Sequence, residues 1–177
     1  MGVFRTICLA LSGAVLLAAP AQAAEDDWPV LKGARLNGQM PWGAFVVYRA
    51  PGQPTQGVTL FLRGADELVA RKVETNGGDE AQVSWATSRT CRAMAPALAE
   101  LEKVPPARID APAVGKSFGP AASQDGGASY FIWVQDARVA GKHSAQLELR
   151  ALDGSPVATW MTRTIEALAT CWSPAQP

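Results

Sequence analysis

Short β-branched and aromatic runs dominate this chain, and a helical spacing of apolar residues appears only once. Ala44–Arg49 (AFVVYR) predicts a strand. Pro51-Gly52-Gln53-Pro54 turns the chain, and Gly57–Arg63 (GVTLFLR) returns as a second strand. Leu68–Glu74 predicts a third, stopped by Asn76-Gly77-Gly78, and Ala81–Trp85 a fourth. Ser129–Gln135 (SYFIWVQ) is apolar on both parities, as a central strand covered on both faces should be. Ser144–Arg150 alternates, with Ala145, Leu147 and Leu149 on one face and Gln146, Glu148 and Arg150 on the other. Asp153-Gly154 is a turn signal, from which Val157–Ile165 is expected to return as an antiparallel strand.

The helical stretch lies in the middle. Met94, Leu98 and Leu101 fall at i, i+4 and i+7, with Glu100, Glu102 and Lys103 on the far side. A cap at Ser88 or Thr90 would leave Pro96 inside the helix, where it removes a backbone bond. A start near Ala93 instead places Pro96 in the first turn, and Pro105-Pro106 ends the helix. Residues 107–127 read as a loop rich in Pro, Gly and Ser. The fold class is α+β: a predominantly antiparallel sheet built from hairpins, with a sandwich as one arrangement, and one packed amphipathic helix near 93–103.

The first residues change the picture of where this domain works. Arg5 precedes a nearly continuous apolar stretch from Ile7 to Ala19, then Pro20 and the small pair Ala21 and Ala23. That is the order of a secretory signal peptide over 1–23, cleaved before Ala24. The apolar core is shorter than the roughly 20 residues that span a bilayer, and no later run approaches that length. The remainder, 24–177, is expected to be one β-rich domain, with 25–43 as an extended lead-in. The Ala-rich core and lone basic residue point to a bacterial periplasm or the cell exterior.

Export also simplifies the cysteines. Cys8 leaves with the signal, so Cys91 and Cys171 remain as one pair in an oxidising compartment, where a disulfide is expected. No Cys-x-x-Cys points to redox chemistry instead. The chain carries 16 basic and 16 acidic residues, and loss of Arg5 tips the mature form by one negative charge. A basic stripe for nucleic acid is missing, so no nucleic-acid partner is expected.

Candidate chemistry is sparse. Val114-Gly115-Lys116-Ser117 has the end of a P-loop, but Asp110 stands where its first glycine is required. His143 is the only histidine, next to a Gly141-Lys142 turn, and no Gly-x-Ser-x-Gly elbow accompanies it. Asp66-Glu67 and Asp79-Glu80 are carboxylate pairs beside turns, where solvated surface is the expected state. One histidine and a bonded cysteine pair leave zinc without ligands, and no Asp-x-Asp-x-Asp loop serves calcium, so neither metal nor cofactor is expected.

Six tryptophans remain to be assigned. Trp85 and Trp133 sit in strands as core, and Trp172 is placed beside the Cys171 sulfur. Trp28 and Trp42, in the lead-in, are the candidates for contact with a ligand or partner. These features favour an exported, non-catalytic domain that binds an envelope protein or glycan. A small hydrolase using carboxylates or His143 is the alternative, and a structural subunit of an envelope assembly the third. Clustered carboxylates in a pocket would favour the enzyme; an apolar surface or a bare strand edge would favour binding.

Overall fold

The computed structural model describes residues 31, 33–49, 53–75, 81–105, 127–139 and 143–177. Residues 1–23, where a signal peptide is expected, lie outside the described residues, as do Trp28, Asp79-Glu80, the 114–117 string and nearly all of the 107–127 loop.

Six strands form one sheet: β1 (Gly43–Tyr48), β2 (Thr55–Arg63), β3 (Glu67–Thr75), β4 (Gln82–Thr87), β5 (Ser129–Val139) and β6 (His143–Leu152). Their order is β4-β3-β2-β1-β5-β6, and every neighbouring pair is antiparallel. The α+β class with a mainly antiparallel sheet is therefore correct, and the strands make a single layer. β1 sits near the middle, between β2 and β5. Its consecutive Phe45, Val46 and Val47 are all buried, which requires cover on both faces.

One face carries the helices. Helix α1 (Met94–Ala99) runs into a 3-10 turn (Glu100–Lys103), and helix α2 (Pro156–Ala167) follows β6. Met94, Leu98, Trp160, Met161 and Leu168 close over Phe45, Val47, Val58, Leu60 and Ile132. Side chains buried as completely as Phe45, Met94 and Met161 contribute about 2 kcal/mol each. The other face is covered by the lead-in. Leu31 packs on Ala44, Val46 and Trp133, while Leu36 packs on Phe61, Val69 and Trp85. Gly57 makes room for this, because a Cβ there would stand 2.8 Å from the Leu31 side chain. The Thr59 hydroxyl then donates to the Leu31 carbonyl at 3.3 Å.

Two expectations need correction. Residues 157–165 are not a strand but the body of α2. Their β-branched content (Val157, Thr159, Thr162, Thr164, Ile165) imitates a strand, yet the buried positions Val157, Trp160, Met161 and Thr164 follow helical spacing. The Asp153-Gly154 turn is real, with Gly154 at φ 78. It leads into a helix start, because the Ser155 hydroxyl accepts from the Ala158 amide at 3.1 Å and Pro156 takes the first position. The middle helix is also shorter than its apolar spacing implies. It begins after Ala93 as expected, with Pro96 in the first turn, but tightens to 3-10 geometry from Glu100.

Cys91 and Cys171 are bonded, with Cα atoms 5.4 Å apart and a sequence separation of 80. The bond fastens the start of α1 to the segment beyond α2, which then crosses β4. Trp85 and Ser173 exchange both backbone hydrogen bonds, at 2.7 and 2.9 Å. Trp172 lies partly buried against the same core, with the Lys72 ammonium 5.3 Å from its ring centroid. Replacing Cys171→Ala should lower the unfolding free energy by about 2–5 kcal/mol, since closing so long a loop restricts the unfolded chain. Urea denaturation of the oxidised protein and the variant measures this; a loss under about 1 kcal/mol would contradict it.

Candidate functional site

The α1–α2 pairing leaves an open groove of about 660 Å³ on the outer surface of the helix layer. Ala93, Pro96 and Ala97 form one wall, and Pro156, Thr159, Arg163 and Ala167 the other; Val104 and Pro105 close one end. Small side chains on both helices create the space. Bulkier residues at Ala97 and Ala167 would fill it.

Trp160 fixes the floor. It is only 5% exposed, and its ring meets Phe45 edge-on, with centroids 5.3 Å apart. Its indole N–H donates to the Ala97 carbonyl at 3.0 Å, so the two helices are joined across the base of the groove. At the rim, the Lys103 ammonium bonds the Glu100 carboxylate, and the two charges offset each other. Arg163 is exposed and, among the described residues, enters no ion pair. The groove is thus apolar, with one uncompensated cation at its edge.

The residues singled out from sequence are scattered. Trp42 is half-buried against the core cluster that contains Trp160; its backbone amide donates to the Leu60 carbonyl and its backbone carbonyl accepts from the Gln135 amide. His143 is placed by its backbone alone, opening β6 opposite Val139. Asp66 lies exposed in the turn before β3. Glu67 departs from the expected solvated surface, being only 4% exposed. It accepts two hydrogen bonds from the Arg63 guanidinium, at 2.8 and 2.9 Å, and Arg89 stands 3.4 Å away. An arginine on each side is what allows this carboxylate to leave water. The Arg63 hydrogen bonds hold it below the usual carboxylate range, against the opposing effect of burial. Both Glu67 oxygens are engaged, so the side chain is a structural anion at the β2–β3 turn.

On the lead-in face, Arg71 lies between Thr59 and Trp85 of the neighbouring strands. Burial lowers its pKa, and its Nη1 is buried without a hydrogen-bond partner. Among the described residues, no group of three or more His, Cys, Asp or Glu side chains could hold a metal ion. No helix there is long and apolar enough to cross a membrane.

The groove does not follow from the sequence pattern, because the β-branched residues of 157–165 predict a strand where α2 lies. The signal that could have found it is Ser155-Pro156, a cap followed by a first-turn proline, ahead of apolar residues at 157, 160, 161 and 168.

Glu67 generates a pH prediction. Its folded-state pKa is depressed, so its contribution to stability is present above the ordinary glutamate value and disappears as pH falls through the folded value. Glu67→Gln should therefore lower Tm at neutral pH, with the difference from wild type shrinking as the solution is acidified through the carboxylate range. A Tm difference independent of pH, measured by thermal scans, would contradict this assignment.

No family model matches the chain, and comparison with curated proteins and with solved structures finds no similar protein.

Proposed function

We propose that the mature chain, 24–177, is an exported binding domain of the bacterial envelope that holds an apolar segment of another envelope protein. The observation that carries this reading is the α1–α2 groove. It is concave, lined by small and apolar side chains, and floored by a tryptophan locked in place by Phe45 and the Ala97 carbonyl. Its volume falls within the range of sites that bury small ligands or a few side chains. A helical or extended segment with apolar anchors suits such a surface, and a carboxylate beside those anchors would meet Arg163. Periplasmic or extracellular location is supported by the signal-like residues 1–23 and by a disulfide that needs an oxidising compartment to persist. Trp28 and Trp42 remain candidates for additional partner contact.

The test is retention of an envelope partner by the immobilised mature protein, compared across variants that alter only the groove. Thr159 is exposed on its wall, so Thr159→Trp fills the space, and Arg163→Glu reverses the rim charge. Each should reduce retention of the same partner at least tenfold, corresponding to about 1.4 kcal/mol, while Tm stays near wild type. Retention unchanged by both variants would reject the groove as the binding surface. Recovery of an amphiphilic lipid rather than a protein in the wild-type eluate would reject the proposed class of partner.

A further inference from the structure

The two edges of the sheet are treated differently. At β4, the tail supplies Ser173 as a backbone partner. At β6, no described strand follows, and two large apolar side chains that are the most exposed of their kind among the described residues, Leu147 and Leu152, both 48% exposed, lie on this strand.

The hydrogen-bonding phase of β6 follows from its neighbours. The Gln135 amide donates to the Trp42 carbonyl, so odd-numbered residues of β5 direct their backbone groups toward β1. Even-numbered ones, Tyr130, Ile132 and Val134, therefore face β6 and bond to Ala151, Leu149 and Leu147. The N–H and C=O groups of Gln146, Glu148, Arg150 and Leu152 consequently point out from the sheet edge. The only irregularity in this pairing lies between Val134 and Ala137, beyond this stretch.

We propose that two copies of this chain pair through β6, antiparallel and centred on Leu149, to form one continuous sheet. Pairing must bring outward residues against outward residues, so the two-fold axis has to pass through a residue position. An axis at Glu148 or Arg150 sets like charges directly opposite each other, which opposes pairing. An axis at Leu147 places Glu148 against Gln146 and Arg150 against Ser144, with no charges matched. An axis at Leu149 sets Glu148 of each copy against Arg150 of the other, twice. It also aligns Leu147 with Ala151 and Leu149 with Leu149 on the helix-bearing face, giving an uninterrupted apolar row. Leu152 falls opposite Gln146 on the other face. Charged residues on an edge strand ordinarily block indiscriminate pairing, and here they select a single register. The contact lies on the sheet edge and does not depend on the groove reading.

Analytical ultracentrifugation of the oxidised mature protein over a concentration series provides the test. Wild type should show a reversible monomer–dimer equilibrium. Glu148→Arg and Arg150→Glu each place like charges opposite one another twice, and each should weaken association at least tenfold. The double variant Glu148→Arg/Arg150→Glu restores both pairs and should regain most of the wild-type affinity. Because Arg150 also stands 4.8 Å from the Phe131 ring centroid and Glu148 lies opposite Trp133, recovery in the double variant is what separates pairing from any effect on β5. Leu149→Cys should cross-link into a covalent dimer on mild oxidation more readily than Leu147→Cys, which faces Ala151 instead of itself. A monomer at every accessible concentration overturns the proposal. So does a dimer indifferent to the single charge reversals, or one that Leu147→Cys captures better than Leu149→Cys.

Discussion

The Cys91–Cys171 bond is the constraint on which the rest of the arrangement depends. Cys91 is 2% exposed and immediately follows the turn out of β4; Cys171 immediately follows the turn out of α2. Joining them brings the start of one helix to the end of the other and directs the following residues along β4. The Trp85–Ser173 exchange is a single pair of backbone bonds. A short terminal segment held by so few bonds would ordinarily fray. Here the covalent anchor is two residues away.

The same anchor shapes the groove. Two helices this short gain little from propensity alone, and their placement comes from packing on the sheet. Met94 and Leu98 from one and Trp160 and Met161 from the other share one core with Phe45 and Ile132. The Trp160–Ala97 hydrogen bond then sets their separation at the level of the groove floor. Outside that floor the walls carry small side chains at Ala93, Ala97 and Ala167, with the charged residues at the rim, and a groove is left between the helices. The concave surface follows from where bulk and hydrogen bonding are placed.

Strand content was legible in the sequence because β-branched and aromatic runs such as 44–49 and 129–135 answer directly to local sterics and burial. Pro96 located the start of α1 through its missing amide. The second helix was not legible in the same way. Residues 157–165 contain five β-branched side chains, and tertiary burial of Val157, Trp160 and Met161 outweighed their local preference. Glu67 was misjudged for a related reason. A carboxylate beside a turn is normally solvated, and only the fold places Arg63 and Arg89 around it. The role of Leu31 and Leu36 as cover for the second face was equally hidden, since their segment has no period to read. The disulfide was legible because setting aside Cys8, which lies in the stretch expected to be a signal peptide, left a single pair.

The central claim is that the crosslink, more than the tail's own contacts, holds the Ser173 segment on β4. Native-state hydrogen exchange tests it most directly, comparing oxidised protein with protein whose disulfide has been reduced and blocked. The Trp85 and Ser173 amides should be protected when oxidised and should exchange at close to unprotected rates when reduced. Amides in the centre of the sheet, such as those of Phe45 and Val58, should remain protected in both states. Trp85 and Ser173 amides that keep their protection after reduction would contradict the account.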